Sequence, residues 1–212
     1  MIKIDIVSDA VCPWCYIGKK RLDKALNKYK KYEFDINWHA FQLNPSMPRN
    51  GMDRKQYLFS KFGGENRAAD IYKQIELAGL SSGIEFNFGQ ITTMPNSFFA
   101  HILIEYSKEE DLQSAITEKL FNAFFIEGKD IGNLEVLLEI ARKNNIKNFS
   151  KNIFSERKDI IDNVQISDNT SREKGISGVP FFIINNNYAV SGAQESEVFE
   201  KIFETCLLEE KN

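Results

Sequence analysis

The chain has 212 residues, 42% of them hydrophobic and 12% aromatic, which is enough for a packed core and excludes a disordered polymer. Its formal net charge of −3 gives no general attraction to nucleic acid or anionic lipid. No run approaches the ~18 apolar residues of a membrane span, so neither a nucleic-acid nor a membrane partner is expected.

The opening M-I-K-I-D-I-V lacks the basic region, apolar region and cleavage site of a secretory signal, and the expectation is a cytoplasmic protein with reduced thiols. Ile2, Ile4 and Ile6 alternate with Lys3 and Asp5 as in a short strand. Cys12-Pro13-Trp14-Cys15 follows, and then Leu22, Ala25, Leu26 and Tyr29 recur at helical spacing. Between Tyr16 and Lys31, Lys19, Lys20, Arg21, Lys24, Lys28, Lys30 and Lys31 stand against the single acid Asp23, which reads as a solvated helix face. From 33 to 41 the alternation returns, with Phe34, Ile36, Trp38 and Ala40 opposite Asp35, Asn37 and His39. This is β-α-β, with room for a right-handed crossover between parallel strands.

From Asn44 to about Gly175 the period is helical. Stripes run through Ala68, Ile71, Tyr72 and Ile75; Phe99, Ile102, Leu103 and Tyr106; Ile116, Leu120, Ala123 and Phe124; Leu134, Leu137, Leu138 and Ala141. Breaks fall near Gly63-Gly64, 79–89, Gly128 and Gly132. After Gly178, the apolar run 181–184, the turn formers Asn185-Asn186-Asn187 and the segment 188–190 make a hairpin. A last helix carries Phe199, Ile202, Phe203 and Cys206 on one stripe. The expectation is an α/β sheet domain from 1–44 and 176–212, interrupted by a helical domain over 45–175.

The cysteine pair has three readings. A structural zinc needs four ligands, and beyond the pair only the isolated Cys206, His39 and His101 remain as soft donors. Three cysteines cannot make a disulfide scaffold. A redox pair has a mechanism. A C-x-x-C between a strand end and a helix start places the first sulfur by unpaired N–H groups and the positive end of the helix dipole, which favours thiolate over thiol. Cys12 is then the attacking residue and Cys15, one turn on, the resolving one. Pro13 fits the first helical turn, and Trp14 offers an exposed apolar lip to a partner. Downstream, Val179-Pro180 precedes a buried strand, where proline must occupy the first position or a turn.

Together, β-α-β, C-P-W-C, a helical insertion, G-V-P and β-β-α resemble the thioredoxin fold of the DsbA superfamily. The segment S-D-A-V-C-P-W-C-Y-I-G-K-K-R (8–21) is similar to the opening of its FrnE-like cytosolic branch. So are P-N-S-F-F-A-H (95–101), L-F-N-A-F-F-I-E-G-K-D-I-G (120–132) and G-V-P-F-F-I-I with Y-A-V-S-G-A-Q (178–194). The resemblance implies a thioredoxin-like α/β fold, a cis bond at Val179–Pro180 beside Cys12, and dithiol–disulfide oxidoreductase activity on a disulfide-containing protein or small thiol. The chain departs from exported DsbA enzymes in showing no signal. It also departs from the related glutathione-using isomerase branch, where a serine commonly stands at the first active position. Lone Cys206 cannot reproduce the additional C-terminal pair of some relatives.

No cofactor is expected, with glutathione as a possible substrate or ligand. The alternatives are a glutathione-dependent isomerase or transferase of the 2-hydroxychromene-2-carboxylate isomerase or kappa-like type, and a non-catalytic protein-binding module. Asn96 and His101 are candidates to line a substrate groove, with helix capping the other role open to Asn96. Asp5 is either an ordinary edge carboxylate or the buried acid that assists proton removal from Cys15. His39 reads as a surface or strand-pairing residue. Ser191 and Gln194 precede the last helix, whose amides either hold a carboxylate or are simply capped.

Overall fold

The computed structural model describes residues 1–63 and 65–209, with backbone alone at 65 and 66. Its elements are β1 (Ile2–Ser8), α1 (Pro13–Lys28), β2 (Phe34–Ala40), β3 (Met52–Asp53), α2 (Arg54–Phe62), α3 (Glu65–Ser81), β4 (Thr93–Met94), α4 (Phe98–Tyr106), α5 (Gln113–Phe125), α6 (Leu134–Lys143), α7 (Ile153–Glu156), α8 (Lys158–Glu173), β5 (Phe181–Ile184), β6 (Tyr188–Ser191) and α9 (Ser196–Glu209). Gly64, part of the expected break after α2, lies outside the described residues.

The main sheet has the order β2-β1-β5-β6. β1 and β2 are parallel from Ile2↔Phe34 to Ser8↔Ala40, as the α1 crossover requires. β5 runs antiparallel to β1 with Ile6 opposite Phe182, and β6 completes the hairpin. In the three-residue loop 185–187, Asn185 and Asn186 take φ of 48° and 59°, left-handed values that asparagine tolerates in a tight turn. The Asn185 side chain also accepts from the Lys3 backbone N–H at 2.9 Å, tying the turn to β1. This is the thioredoxin-like α/β fold, and its two halves meet between β1 and β5.

Strand parity places the layers. Ile4, Ile6, Phe182 and Ile184 are buried on one face under α1 and α9, where the Phe182 and Phe199 rings meet edge-on at 4.9 Å. Lys3, Asp5, Val7 and Ile183 take the opposite face and look across a cleft toward α8. One hydrophobic cluster runs from Ile2 through Phe121 and Leu137 to Phe203, so the helices between the two sheet halves share the core of the sheet.

Two expectations are corrected. The basic residues of α1 are a solvated face only in part: Lys24 and Lys28 are exposed, but Lys19, Lys20 and Arg21 are not. Lys19 is only 7% exposed and bridges Asp23 at 2.7 Å and Glu118 of α5 at 3.0 Å; Lys20 also reaches Glu118. Arg21 binds the Ala193 carbonyl, Ser82 and Glu195. Lys20 and Arg21 find partners at sequence separations of 98, 61 and 172 residues, which helical periodicity alone does not reveal. On α3, Ala68 and Ile75 are buried as expected but Ile71 is exposed. The two-residue pairing of β3 with β4 is an element the sequence pattern did not signal.

Candidate active site

β1 ends at Ser8 and the chain turns through 9–11 into α1. Cys12 is the residue before the first helical turn, extended at φ −96° and ψ 114°, with Pro13 inside the turn where its missing N–H costs nothing. The backbone N–H of Cys15 donates to the Cys12 carbonyl at 3.0 Å. Both sulfurs are free thiols. Cys12 is 4% exposed and Cys15 1%, while Trp14 is 38% exposed at the rim beside the half-buried Pro13.

The second wall is the segment before β5. The Val179–Pro180 bond is cis, and the Cys12 thiol donates to the Val179 carbonyl oxygen at 3.6 Å. Val179 is half-buried and Pro180 buried. Ser191 and Gln194 adjoin this wall: the Gly192 N–H donates to the Pro180 carbonyl at 2.8 Å. The Gln194 amide folds back to the Ser191 carbonyl at 2.9 Å, and both residues are exposed. Cys12, Cys15, Pro13, Trp14, Val179 and Pro180 are thus brought together, with the Ser191–Gln194 loop next to them.

Cys15 lies beneath Cys12. Burial pushes its thiol well above the ordinary range, and the neighbouring Cys12 adds to the rise; the Ser8 hydroxyl and the Asp9 backbone pull the other way. The two sulfurs therefore differ in kind: one at a helix start beside the opening, one enclosed and held protonated.

Asn96 and His101 sit behind this surface. Asn96 is buried, donates to the Met47 carbonyl at 2.6 Å, and accepts from the Phe98 N–H at 2.9 Å and from Gln42 at 3.2 Å. It closes the start of α4 in the capping manner. His101 is 3% exposed, with Nε2 at 3.4 Å from Asp9 Oδ1. Asp5 is not the acid beside Cys15. It lies on the other face of β1, bonded to His39 Nε2 at 2.9 Å and Lys3 at 2.9 Å. Burial alone would raise its carboxyl, but these two partners outweigh that and hold it low. Ser8 takes the place by Cys15 for a geometric reason: it shares strand parity with Ile4 and Ile6, and Asp5 does not.

The sequence reading missed four residues. Asp9 is fully buried and accepts from the Val11 N–H at 3.3 Å and the Leu43 N–H at 2.7 Å. Gly18 abuts Pro180. Tyr72 of α3 feels the charge of Cys12: burial raises its phenol, Arg54 draws it back, and Cys12 adds to the rise. Ser8 is the fourth. Asp9, three positions before Cys12, was the detectable one, since aspartate at that offset commonly turns the chain on its own backbone.

The chain matches the family model described as DSBA-like thioredoxin domain over residues 3–204. Among solved structures it is similar to a protein of Streptomyces coelicolor described as a probable DsbA oxidoreductase, at TM-score 0.82 and 24% identity, covering 95% of this chain and 88% of that one. It is also similar to a 2-hydroxychromene-2-carboxylate isomerase, at TM-score 0.73 and 16% identity over 99% and 98% of the two chains. A third likeness is the cytosolic disulfide reductase DsbM of Pseudomonas aeruginosa, at TM-score 0.70 and 18% identity over 97% and 98%; that protein is also solved with GSH.

Proposed function

Because the chain belongs to the DSBA-like thioredoxin domain family, we propose that it is a thiol–disulfide oxidoreductase working through Cys12 and Cys15. The observation that carries this is the contact of the Cys12 thiol, at the start of α1, with the Val179 carbonyl, while Cys15 waits enclosed one turn behind. Among the described residues no helix is long and apolar enough to cross a membrane. The expectation of a cytoplasmic protein is part of this proposal.

Cys12 as thiolate attacks one sulfur of a substrate disulfide. The Cys12–S bond forms, the substrate S–S bond breaks, and the leaving substrate thiolate takes up a proton. Cys15 then loses its proton and attacks the Cys12 sulfur, releasing the second substrate thiol. The substrate disulfide is reduced to two thiols, and Cys12 and Cys15 are oxidised to a disulfide; run backwards, the same steps oxidise a dithiol. The Val179 backbone at the opening offers pairing to an extended peptide, and Trp14 provides an apolar rim.

A second reading is a glutathione-dependent isomerase, favoured by the likeness to the hydroxychromene-carboxylate isomerase and by the exposed Ser191–Gln194 loop at the start of α9. There Cys12 would contact glutathione without cycling. Insulin reduction with dithiothreitol as electron donor separates the two. The redox reading expects turnover by the wild type and none by Cys12→Ala; turnover that is absent in both, or equal in both, overturns it. Saturable quenching of Trp14 fluorescence by glutathione, unaltered in Cys15→Ala, would favour the second.

A further inference from the structure

One buried ionisable pair has no part in the steps above. Asp9 is 0% exposed and His101 3%, and they face each other at 3.4 Å from Nε2 to Oδ1. Every other polar contact of Asp9 fixes the main chain around the cysteines. Its carboxylate accepts from Val11 and Leu43, and its carbonyl accepts the Cys12 N–H at 3.0 Å. Its backbone also acts on the Cys15 sulfur. His101 Nε2 has no hydrogen-bond partner among the described residues, so its charge interaction with Asp9 is its one polar tie at that nitrogen.

A buried carboxylate is costly unless paired, and a thiolate formed three residues away adds a second negative charge to the same loop. We propose that His101 is a positioning residue for the redox pair. It carries, in the reduced protein, the positive charge that offsets the Cys12 thiolate and the Asp9 carboxylate together. This rests on the oxidoreductase reading given above. The exchange balances as follows. A substrate dithiol reduces the Cys12–Cys15 bond and becomes a disulfide. One of its two protons stays on Cys15, and the other, which a neutral Cys12 would have kept, goes to the His101 imidazole.

The other charged groups around the pair are engaged elsewhere. On α5, Glu118 faces Lys19 and Lys20 of α1. On α6, Glu135 pairs with Lys151 and Glu139 with Lys143 and Lys129. On α8, Asp168 pairs with Arg172 and touches the region only through the Gln42 backbone. Within α4, Glu105 turns to Asn163. Arg49 stacks on the Phe98 and Phe99 rings, and the Tyr57 hydroxyl is taken by Asn44 and Lys61. On α2, Arg54 lies over the ring of Tyr72, the phenol that also senses Cys12. Of these groups His101 is the cation that faces Asp9 directly.

The chain has two histidines, which makes the test direct. Imidazole NMR signals of the wild type are followed over ~pH 5 to 8, where histidine changes charge, in dithiothreitol-reduced and diamide-oxidised protein, with His39→Asn to assign them. The expected result is that reduction moves the His101 signals toward their protonated positions at constant neutral pH. Those of His39, paired with Asp5 on the strand face away from the cysteines, stay put. No movement of His101, or equal movement of both, overturns the proposal. A second arm measures iodoacetamide alkylation of Cys12 at neutral pH. His101→Gln leaves the Asp9 carboxylate uncompensated and should slow alkylation several-fold. Asp9→Asn should hold or raise the rate, and the double variant should return toward wild type. Two single variants that slow alkylation alike would mark a merely structural pair. If no Cys12–Cys15 disulfide forms on oxidation, the oxidoreductase reading falls, and the alkylation arm still decides the charge relation of His101 to Asp9.

Discussion

Gly18 of α1 lies directly against Pro180. A Cβ on Gly18 would stand 2.9 Å from Pro180 Cγ and 3.2 Å from Phe182 Cζ. The helix that presents Cys12 and the segment that presents Val179 are therefore in contact one turn past Cys15, and the absent side chain sets their spacing. Gly18→Ala gains up to ~1 kcal/mol of helix propensity, but overpacking a rigid ring and a buried phenyl costs about 1–3 kcal/mol. Packing wins, so a net loss of stability is expected in urea unfolding. Peptide-disulfide exchange should fall further than iodoacetamide alkylation, since α1 keeps Cys12 at its N-terminus while the Val179 wall is pushed back. Equal losses in both rates would mean general unfolding and no specific spacing role.

The enclosure of Cys15 predicts an order of events. Cys12 opens to the rim and Cys15 does not, so brief iodoacetamide treatment of the reduced protein should label Cys12 first, as read by peptide mass. Cys15→Ala keeps the attacking sulfur and removes the resolving one. It should accumulate a mixed disulfide with a peptide substrate, visible by intact mass and absent in Cys12→Ala. Preferential labelling of Cys15 would reverse the roles.

The placement of Cys12 and Cys15 at the start of α1 was legible because its causes are local: a strand end, proline in the first helical turn, and two cysteines one turn apart. The Val179–Pro180 wall needed the resemblance, since proline before a strand has several uses. What could not be read is what depends on distant partners. Lys19 looks solvent-bound on a helical wheel and is buried because Glu118 comes to it from α5. His101 sits in the nearly continuous apolar run of α4, and that run does signal a helix buried on all sides. Asp5 and Ser8 were separable from strand parity alone; Asp5 drew attention by analogy with the buried acid of thioredoxin-like enzymes.

Gln113, at the start of α5, is expected to hold the outer strand. Its side-chain carbonyl accepts the Trp38 N–H at 3.2 Å and its amide reaches the Trp38 carbonyl at 3.5 Å, serving β2 where the main sheet ends. Gln113→Ala leaves buried backbone groups unpaired, at a cost of about 1–3 kcal/mol. The loss should show in thermal unfolding and in faster amide exchange at Trp38. Unchanged exchange there would assign the edge to other contacts.

The Glu118 cluster predicts a stability profile with two limbs. Burial alone would raise the Glu118 carboxyl, but Lys19 and Lys20 outweigh it and hold the carboxyl below its usual range. Burial would likewise lower Lys19, yet Asp23 and Glu118 raise it above the ordinary lysine value. A carboxyl lowered by folding contributes stability that is present above its unfolded value, ~4.3, and lost as pH falls through the lower folded value. An ammonium raised by folding contributes stability present below its unfolded value, ~10.4, and lost as pH rises through the higher folded value. Urea midpoints should therefore be flat through neutral pH and fall at both ends. Glu118→Gln removes the negative charge, and one of the two acceptor oxygens, that serve Lys19, Lys20 and the Tyr16 hydroxyl, which donates to Glu118 at 3.0 Å. With Glu118 partly exposed, the expected loss at neutral pH is about 2 kcal/mol, below the cost of breaking a fully buried pair. The variant's acid limb should also be shallower than that of the wild type, because one of the carboxyls that titrates there is gone. Because Tyr16 follows Cys15 on α1 and stacks on Phe121 of α5 at 5.0 Å, the same substitution loosens the helix that carries both sulfurs. An acid limb of undiminished slope in Glu118→Gln would place the titration on other carboxylates and remove this cluster as the clamp between α1 and α5.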